Sequence, residues 1–532
     1  MYICIPMPLS KSHIPFEKTK YFSKLFLDYQ SGQVKDLYLY EPCFEGIKSF
    51  TEKNDYANLD RALLVKELRQ QNAGIKLSEA SVASIDKLAD HKTFTVTTGH
   101  QLCLATGPLY FVYKILTVIN LCEALNEKYS DVDFVPVYWM ASEDHDFEEV
   151  SSIELFNKKF KWNTEQKGRV GEFTLENVAP VLEEIKAVLG ENENAKQILS
   201  VLQHAYSQKN LADATRFLVN ELFGKYGLVI IDGNSKALKH QFIPEIKKDI
   251  FDHFAFKAVN NTITELNKKE YEAQVTPREI NCFYADHGLR ERIVEEHENY
   301  KILNTNLWFS RAEIEKLIEN ETEKFSPNVV MRPLYQQKIL PNAAYVGGPG
   351  EIAYWLEYKR LFAEADIPLP VIMHRDFVLY IEKGLQQRME KLNLKAEDLF
   401  ADKNKLQREY VLQQQPFDIA EEKRKLKETF DAAKSKIAGI DKTLEAATEA
   451  ELQKALKGLE NLEQKVVRSI KQKSDQSINQ IDAIYSRFFP NDLPQERVEN
   501  FMRFYISDPS FIQEVKNALT PGDGSLLVLA ES

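Results

Sequence analysis

Residues 97–108 read TTGHQLCLATGP, and the organisation of the fold can be worked out from this stretch. The sequence before it predicts a strand over Phe94–Thr97, and the sequence after it predicts an apolar helix from about Pro108 to Tyr129. Pro108 suits the first turn of a helix, because its missing N–H costs nothing there. The stretch is therefore predicted to turn the chain from a strand into a helix.

The composition of this turn also suggests a binding site. Two glycines permit backbone conformations that residues with a Cβ resist. The N-terminus of the following helix would direct free amides and a partial positive charge towards the strand end, which suits a phosphate or a carboxylate. An ordinary glycine-containing turn explains the spacing equally well. The candidate binding residues are Thr98, Gly99, His100, Gln101, Thr106, Gly107 and, inside the helix, Lys114.

The next predicted strand, Phe134–Met140, is apolar nearly throughout, as expected of a strand covered on both faces. It leads into four consecutive ionisable residues, Glu143, Asp144, His145 and Asp146. Together with the preceding strand and helix it forms a βαβ unit. Open α/β sheets bind ligands beyond the carboxyl ends of their strands. The four residues are therefore the candidate catalytic group.

The pattern alone leaves three interpretations of these four residues: a solvated loop, a metal site, or groups that orient an amine and transfer protons. Adjacent residues rarely converge on one ion without further ligands, so we assign no metal. A histidine between two acids fits proton transfer near neutral pH, and His145 is the predicted base. Holding the loop through a backbone hydrogen bond is an equally good role for His145.

Length, charge and cysteine content bound the class of protein. A chain of 532 residues is long enough for more than one domain. The net charge of −12 argues against nucleic acid or an anionic membrane as the main partner. No apolar run approaches the length of a membrane span, and residues 1–8 lack the basic segment of a signal peptide. The five cysteines lack zinc or CxxC spacing, which predicts reduced thiols in a cytoplasmic protein.

A second glycine-rich turn lies further along the chain, between another predicted strand and helix. Residues 347–355 read GGPGEIAYW, and linkers do not sit between apolar elements of this kind. A Cβ at Gly348 would obstruct either a positive φ or the approach of a ligand. The candidate binding residues in this turn are Gly347, Gly348, Gly350, Glu351 and Trp355.

The region after residue 380 has a different repeat. Apolar residues from Leu426 to Leu444 alternate steps of four and three, and the repeat resumes after a break. Thr448–Glu451 has the pattern of a capping box for a fresh helix. Two long helices joined by a short turn predict an antiparallel coiled-coil hairpin. A seam this narrow favours a homodimer, the alternative being a hairpin packed only on its own core.

These patterns divide the chain into a core that is interrupted by two insertions and followed by the helical region. The predicted divisions are 1–90 (mainly helical part of the core), 91–155 (first half of the core), 156–210 (first insertion), 211–259 (core strand and helices), 260–323 (second insertion), 324–380 (second half of the core), 381–489 (coiled coil) and 490–532 (a closing segment that packs back on the core).

Four motifs occur in this order before the predicted coiled coil: TGHQLCLATGPLYFVYK, VPVYWMASEDHDFEEV, SPNVVMRP and GGPGEIAYW. Together they resemble the BshC family, the cysteine ligases of bacillithiol biosynthesis, over nearly the whole chain. The first motif of that family commonly reads TGQQ where this chain has Gly99-His100-Gln101. The departure weakens the case for a role of position 100.

The resemblance implies a Rossmann-type α/β core, related to nucleotidyltransferases and class I aminoacyl-tRNA synthetases, with inserted connecting domains and a C-terminal α-helical coiled coil that dimerises. It also implies the reaction, in which the carboxyl of L-cysteine is joined to the amine of glucosaminyl-malate to give bacillithiol. An amide formed from a free carboxylate needs an activated acyl group, so ATP or another adenine nucleotide is the expected cofactor. The two glycine-rich turns would then cradle phosphates. Arg332 and Arg375 would meet substrate carboxylates, with a surface ion pair as the alternative for each.

Two function classes other than this ligase stay open. One is a nucleotide-binding coiled-coil scaffold without chemistry, and the other is a nucleotidyltransferase with another acceptor. The charged residues Glu143–Asp146 favour an enzyme over a scaffold. The sequence therefore predicts a cytoplasmic, homodimeric ligase that forms a carbon–nitrogen bond between small molecules and binds neither nucleic acid nor membrane.

Overall fold

The computed structural model describes residues 9–473 and 475–532. The expectation that residues 1–8 are not a signal peptide, and the thiol of Cys4, lie outside the described residues. The chain divides into two compact units, one formed by residues up to Tyr380 with Leu493–Leu529 and the other by Ile381–Asp492 with the last three residues. No helix within the described ranges combines the length and the apolar character that crossing a membrane requires.

The strands belong almost entirely to the larger unit, whereas the smaller unit is built from helices. The strands are β1 (Leu9–Pro15), β2 (Thr93–His100), β3 (Asp133–Met140), β4 (Ser152–Leu155), β5 (Lys158–Lys161), β6 (Val229–Asp232), β7 (Cys282–Asp286), β8 (Leu289–Glu296), β9 (Asn299–Ile302), β10 (Trp308–Ser310), β11 (Phe325–Pro327), β12 (Asn342–Gly347), β13 (Val371–His374), β14 (Phe377–Ile381) and β15 (Ser525–Glu531). The α-helices of the larger unit and its return segment are α1 (Phe16–Thr19), α2 (Lys24–Gln30), α3 (Phe44–Lys53), α4 (Arg61–Gln71), α5 (Glu79–Lys87), α6 (Tyr110–Lys128), α7 (Phe147–Val150), α8 (Ala179–Leu189), α9 (Glu193–Ala205), α10 (Leu211–Phe223), α11 (Lys236–His240), α12 (Ile243–Asp252), α13 (Phe254–Lys268), α14 (Arg311–Asn320), α15 (Met331–Ile339), α16 (Pro349–Leu356), α17 (Lys359–Ala365), α23 (Gln495–Val498), α24 (Met502–Tyr505) and α25 (Phe511–Ala518). Those of the smaller unit are α18 (Lys383–Lys391), α19 (Lys403–Gln414), α20 (Ala420–Ala438), α21 (Glu445–Lys473) and α22 (Asp475–Phe488).

A parallel sheet of five strands in the order β13-β12-β2-β3-β6 forms the centre of the larger unit. In the order in which they occur in the chain, β2, β3, β6, β12 and β13 are strands 1 to 5 of this sheet. Read from the β6 edge, the sheet then has the strand order 3-2-1-4-5, which is the Rossmann order. β2 is buried along its whole length and β3 from Phe134 onward, as predicted for strands covered on both faces. The predicted fold class is confirmed.

The order of the strands reverses between β2 and β12, and ligands bind outside the carboxyl ends at such a point. β2 ends at His100 and β12 ends at Gly347, so both glycine-rich segments begin beside this reversal. Around them, α6 packs its apolar side chains into two apolar clusters of the unit. Full burial of one large apolar side chain contributes about 1.5–3 kcal/mol to the stability of the fold. The many buried side chains of these clusters therefore stabilise the sheet and its carboxyl edge.

The first glycine of the opening stretch does not lie in a turn, contrary to expectation. β2 continues through Gly99, which pairs in register with Trp139 of β3. The turn comes later, where Ala105, Thr106 and Gly107 have φ values of 45°, 72° and 70°. Only Gly107 of the two glycines therefore needs the freedom of a residue without Cβ.

The segments predicted as insertions carry sheets of their own. β4 and β5 form a hairpin, and β10-β9-β8-β7-β11 form an antiparallel sheet. Both sheets extend past the predicted boundaries, because β4 lies before residue 156 and β11 after residue 323. β7 begins at Cys282, and a capping box of Ser310 and Glu313 opens α14. β15 lies between β1 and β14, so the closing segment returns to the larger unit.

In the smaller unit, α20 and α21 form the predicted antiparallel hairpin, but the first helix ends and the second begins at residues other than those predicted. The repeat predicted to run unbroken to Leu444 stops with α20 at Ala438, and Ile440 lies in the turn with 91% of its surface exposed. Thr448 does not cap a fresh helix, because α21 already starts at Glu445. The Thr448 hydroxyl instead donates to the carbonyl of Leu444 within the same hairpin, a common use of an internal threonine.

Candidate functional site

A cavity of about 740 Å³ lies in the larger unit at the carboxyl edge of the parallel sheet. Its volume is in the range of small-molecule and cofactor sites. Its lining comes from two parts of the chain: the ends of β2, β3 and β12, which we call the sheet side, and β7, β8 and the segment 274–280, which we call the insertion side. The cavity therefore lies where the strand order reverses.

Most of the predicted site residues meet in this cavity. Those that line it are Gly99, His100, Gln101, Lys114, Glu143, Asp144, His145, Arg332, Gly348, Gly350, Glu351 and Arg375. Those that do not line it are Thr98, Thr106, Gly107, Asp146, Gly347 and Trp355.

The predicted residues outside the cavity hold the fold. The Thr98 hydroxyl donates to the carbonyl of Val346 at 2.8 Å, which ties β2 to β12. The Trp355 ring is fully buried with its centroid 4.6 Å from that of Tyr345. Asp146 caps α7 by accepting from the amide of Glu149. These contacts position the three side chains within the fold, although the buried Nε1 of Trp355 has no hydrogen-bond partner among the described residues.

The N-terminus of α6 is closed by the chain itself. The Leu109 amide donates to the carbonyl of Glu499 at 2.8 Å, and the Asn500 side-chain amide donates to the carbonyls of Ala105 and Gly107 at 2.8 and 2.6 Å. The predicted phosphate site at this helix end is therefore covered by the return segment. Only Gly99–Gln101 of the opening stretch still faces the cavity.

The buried amine of Lys114 joins the two glycine-rich segments. It donates to the carbonyl of Gly99 at 2.6 Å and pairs with the Glu351 carboxylate at 2.5 Å. Glu351 also accepts from the Gly348 amide at 2.9 Å and from the Tyr345 hydroxyl at 2.5 Å. Burial alone would raise the pKa of Glu351, but Lys114 and the Gly348 amide hold it below its ordinary value. The pair is thus a charged clamp across the strand reversal.

Two acids of the row after β3 are held as carboxylates. Glu143 pairs with Lys239 and lies 3.9 Å from Arg169; burial would raise its pKa, but these cations keep it lowered. Asp144 accepts from the Gln101 side-chain amide and from the His145 backbone amide, both at 2.7 Å. Burial would likewise raise the pKa of Asp144, yet the His145 side chain 3.6 Å away, the Gln101 side-chain amide and the charge of Arg290 hold it well below its usual range. Both groups can orient a cation, and neither readily accepts a proton.

His145 meets a residue that the sequence reasoning missed. Its Nδ1 lies 2.8 Å from Nη1 of Arg290, which belongs to β8. The Arg290 guanidinium also donates from Nε to the Ser326 hydroxyl at 3.0 Å and from Nη2 to the Pro327 carbonyl at 3.2 Å. It stacks on the ring of Phe283, 4.0 Å from the centroid.

Arg375 and Arg332, the predicted carboxylate-binding residues, differ in how much of their guanidinium is free. Arg375 is buried and holds both oxygens of Glu496, at 2.9 and 2.5 Å. This ion pair is internal, so neither the predicted surface pair nor a free carboxylate-binding group describes Arg375. Arg332 donates from Nη1 to Gln336 at 2.8 Å, while its buried Nη2 has no hydrogen-bond partner among the described residues. Of these two arginines, Arg332 is the one with a donor left for a ligand.

The second glycine-rich segment is open to the cavity. Gly348 has φ −79°, so of the two reasons expected for a glycine there the positive φ does not apply, and the approach of a ligand stays a prediction. A Cβ there would make ordinary contacts of 3.6 and 3.7 Å. A Cβ at Gly350 would meet no atom within 4 Å. A Cβ at Gly99 would lie 3.6 Å from Nη1 of Arg332, beside its orphaned donor. This bare backbone next to an unsatisfied guanidinium fits the phosphates of a nucleotide.

His100 is neutral at its position. Burial lowers its pKa to about 3, with the Lys114 charge acting in the same direction. Its Nε2 lies 3.8 Å from the Cys103 sulfur, and burial raises the pKa of that thiol to about 12. Neither group titrates near neutral pH.

Comparisons with known proteins agree with this architecture. The family described as "Bacillithiol biosynthesis BshC, N-terminal Rossmann-like domain" matches residues 9–376, and "Bacillithiol biosynthesis BshC, C-terminal coiled-coil domain" matches residues 378–531. The chain belongs to the BshC family. A relative from Flavobacterium psychrophilum, named "Putative cysteine ligase BshC", is 43% identical over 519 residues, which cover 96% of this chain and 97% of that protein. Relatives of the same name from Flavobacterium johnsoniae and Cytophaga hutchinsonii are 42% and 40% identical, and the aligned parts cover 94% and 96% of this chain and 97% of each relative.

The resemblance carried by the four motifs is thus confirmed, and the predicted enzyme class, a ligase, agrees with the names of these relatives. All four motifs of this BshC chain contribute residues to the one cavity.

The arginines of the second insertion were missed. Arg290 and Arg292 are two residues apart on β8 and share a face, and Arg278 precedes β7. The spacing of two within LRERIVEE was the only local signal for them.

Proposed function

We propose that the chain joins the carboxyl of L-cysteine to the amine of glucosaminyl-malate, the step that yields bacillithiol. The observation that carries the proposal is a cavity that combines free guanidinium groups with two ionised acids at the strand reversal of a BshC-family protein. Such a cavity suits substrates that carry both carboxylates and an amine.

The second-insertion side of the cavity suits the malate group. Arg278, Arg290 and Arg292 line it, and among the described residues none of the three makes an ion pair with a carboxylate. Nε of Arg292 is buried without a hydrogen-bond partner in the described part of the chain. A dicarboxylate would satisfy these donors and offset their charge, because guanidinium–carboxylate bonds are among the strongest polar contacts that a protein can make.

The opposite side suits activation of the cysteine carboxyl. ATP, when bound, would supply the adenylyl group that gives the cysteine carboxyl a leaving group, with release of pyrophosphate. On this chain Gly99, Gly348 and Gly350 would let phosphates approach the backbone, and Arg332 Nη2 would donate to one of their oxygens. Glu143 and Asp144, both ionised, would orient the amine that attacks.

We further infer that the coiled coil pairs with a second copy of this chain. The seam residues Leu426, Phe430 and Ile437 of α20 are only half-buried, and no residue of α20 is fully buried. Leu462 of α21 leaves 56% of its surface exposed. Asp at both Ile437 and Leu459 should give monomers by light scattering, since a buried charge costs several kcal/mol. An unchanged oligomer would place the dimer contact elsewhere.

We assign the reaction to the cytoplasm. Cys43, Cys103, Cys122 and Cys282 carry free thiols, and three of them are buried. Unpaired cysteines are typical of a reducing compartment.

The decisive test supplies purified protein with cysteine, glucosaminyl-malate and ATP, and follows bacillithiol and pyrophosphate by mass spectrometry. Arg332→Gln should reduce product, whereas Arg468→Gln, an exposed arginine of α21, should not. A strain without the gene should accumulate glucosaminyl-malate. Normal bacillithiol in that strain would refute the proposal, and an adenylated product without bacillithiol would favour a nucleotidyltransferase.

A further inference from the structure

We propose that His145 acts as a hydrogen-bond donor through Nε2–H and not as the base, and that Arg290 is the positioning residue that fixes this tautomer. The identity of the group that receives the hydrogen bond rests on the proposed function. The tautomer itself rests on the contacts of two side chains.

The contact between Arg290 and His145 allows one arrangement of hydrogens. Their nearest nitrogens, Nη1 and Nδ1, are 2.8 Å apart. A guanidinium has only donors and stays protonated, so Nδ1 must present its lone pair. A neutral imidazole has one N–H, which then resides on Nε2. The lone pair that a base would use is already occupied.

Arg290 is fixed in the orientation that this contact needs. Its Nε and Nη2 donate to Ser326 and Pro327, its guanidinium stacks on Phe283, and its surface is 9% exposed. All of these partners are uncharged. Burial lowers the pKa of Arg290, and the charges of Glu143 and Asp144 oppose this effect. Among the described residues no carboxylate forms an ion pair with Arg290 that would draw it away from the imidazole.

Asp144 is the neighbouring acid that could reverse the tautomer, and its distance argues against it. Its Oδ1 lies 3.6 Å from Nδ1 of His145, beyond hydrogen-bond range. The two oxygens already accept from the backbone amide of His145 and from Gln101. Asp144 thus holds the loop and leaves Nδ1 to Arg290.

The free end of the imidazole is available to a ligand. His145 lines the cavity with half of its side-chain surface exposed, and Nε2 has no hydrogen-bond partner within the described part of the chain. A fixed neutral donor in such a site stabilises negative charge that develops on oxygen. The receiving group is an oxyanion: the carbonyl oxygen of the acyl group under attack, or a phosphate oxygen. His145 moves no proton in this role, and the proton of the amine leaves by another route.

The tautomer can be observed directly in the full-length protein with ¹⁵N-labelled histidine, by long-range proton–nitrogen correlation at neutral pH. The spectrum of His145→Gln identifies the signals of His145 by their loss. We expect the Nε2–H tautomer in the wild type and in Arg290→Lys, which keeps a donor, and a mixture of tautomers in Arg290→Met. An Nδ1–H tautomer or an imidazolium in the wild type would overturn the proposal. This measurement needs no substrate, so it is independent of the ligase assignment.

A pair of substitutions tests the role in catalysis. Glutamine at position 145 can place an amide N–H near the site of Nε2, whereas the shorter asparagine reaches only the site of Nδ1. As a donor, His145→Gln should keep kcat/KM within about ten-fold of wild type, and His145→Asn should lose about 10²–10³-fold. Equal losses with both, together with loss of the acidic limb of the pH–rate profile, would make His145 a base and refute the proposal. A wild-type protein that forms no bacillithiol would refute the proposed function, and the tautomer spectrum would still decide the arrangement of His145.

Discussion

The two sides of the cavity hold their charges in different ways. The sheet side comprises Gly99–Gln101, Lys114, Arg332, Glu351 and Arg375. Lys114 and Arg375 each have a carboxylate of this chain as a partner, and Arg332, whose Nη2 we assign to a ligand, is the exception. The insertion side comprises Arg278, Arg290 and Arg292, and within the described residues these have no carboxylate partner.

The difference indicates that one side of the cavity stabilises the fold and the other binds a ligand. A buried charge that is paired inside the chain is part of the scaffold, because removing one partner leaves the other uncompensated. A guanidinium held at a cavity without an acid is costly for the fold and is explained by a ligand that brings the acid. The sheet side should therefore respond to substitution in stability, and the insertion side in binding.

The largest effect is expected from Lys114→Met. It leaves the Glu351 carboxylate buried without its cation, which should lower the free energy of unfolding by about 3–5 kcal/mol in urea titrations. The double variant Lys114→Met/Glu351→Gln should recover part of the loss, since the uncompensated charge is gone. A loss under about 1 kcal/mol for the single variant would mean that the clamp does not support the fold.

Arg292→Gln, on the insertion side, should weaken substrate binding and leave stability unchanged. Hydrogen bonds to charged groups contribute about 1.5–3 kcal/mol, so KM for glucosaminyl-malate should rise about 10- to 100-fold. The unfolding free energy should stay within about 0.5 kcal/mol, because the Nε of Arg292 has no partner to lose among the described residues. Arg468→Gln serves as the matched control. A stability loss without a change in KM would assign Arg292 to the scaffold.

Substitutions at two glycines should differ in their effect on stability. Gly107→Ala should cost about 1–3 kcal/mol, because φ is +70° and the new Cβ would lie 2.7 Å from that of Cys103. Gly350→Ala should leave thermal stability unchanged, since nothing lies within 4 Å of its Cβ position. Similar melting temperatures for both variants would contradict the assignment of Gly107 to the scaffold.

The sequence could predict the sheet side because its residues follow directly on strands with clear apolar patterns. Gly99, Glu143 and Gly348 sit at or just after the ends of β2, β3 and β12, and parallel strands bring their carboxyl ends to one edge. Local pattern was sufficient there.

The partners of these residues come from distant segments, which local patterns do not relate to each other. Arg290 reaches His145 from 145 positions away, and Glu496 reaches Arg375 from 121. Glu499 and Asn500 close the N-terminus of α6 from the far end of the chain. Whether a polar group is free for a ligand or already paired was therefore decided by tertiary packing, which pairs Arg375 with Glu496 and the Gly107 carbonyl with Asn500.

Two carboxyls, the partly buried Glu351 of the sheet side and the fully buried Asp249 behind the insertion side, should give opposite pH dependence. On the sheet side, Lys114 and the Gly348 amide outweigh burial and lower the pKa of Glu351. Its contribution to stability is present above its unfolded pKa and is lost as the pH falls through the lower folded value.

Behind the insertion side, Asp249 accepts from the Asn281 amide at 2.6 Å, and burial, with no cation to oppose it, raises its pKa to about 7. The folded state then binds a proton that the unfolded state has released, so stability is greatest below the unfolded pKa of about 4 and falls as the pH rises towards about 7. One proton corresponds to about 1.4 kcal/mol per pH unit. Urea titrations at several pH values should show this slope in the wild type, and Asp249→Asn should flatten it because the amide cannot titrate. A slope unchanged by Asp249→Asn would mean that Asp249 is ionised in the fold, and the contrast between the two sides of the cavity would not extend to their carboxyls.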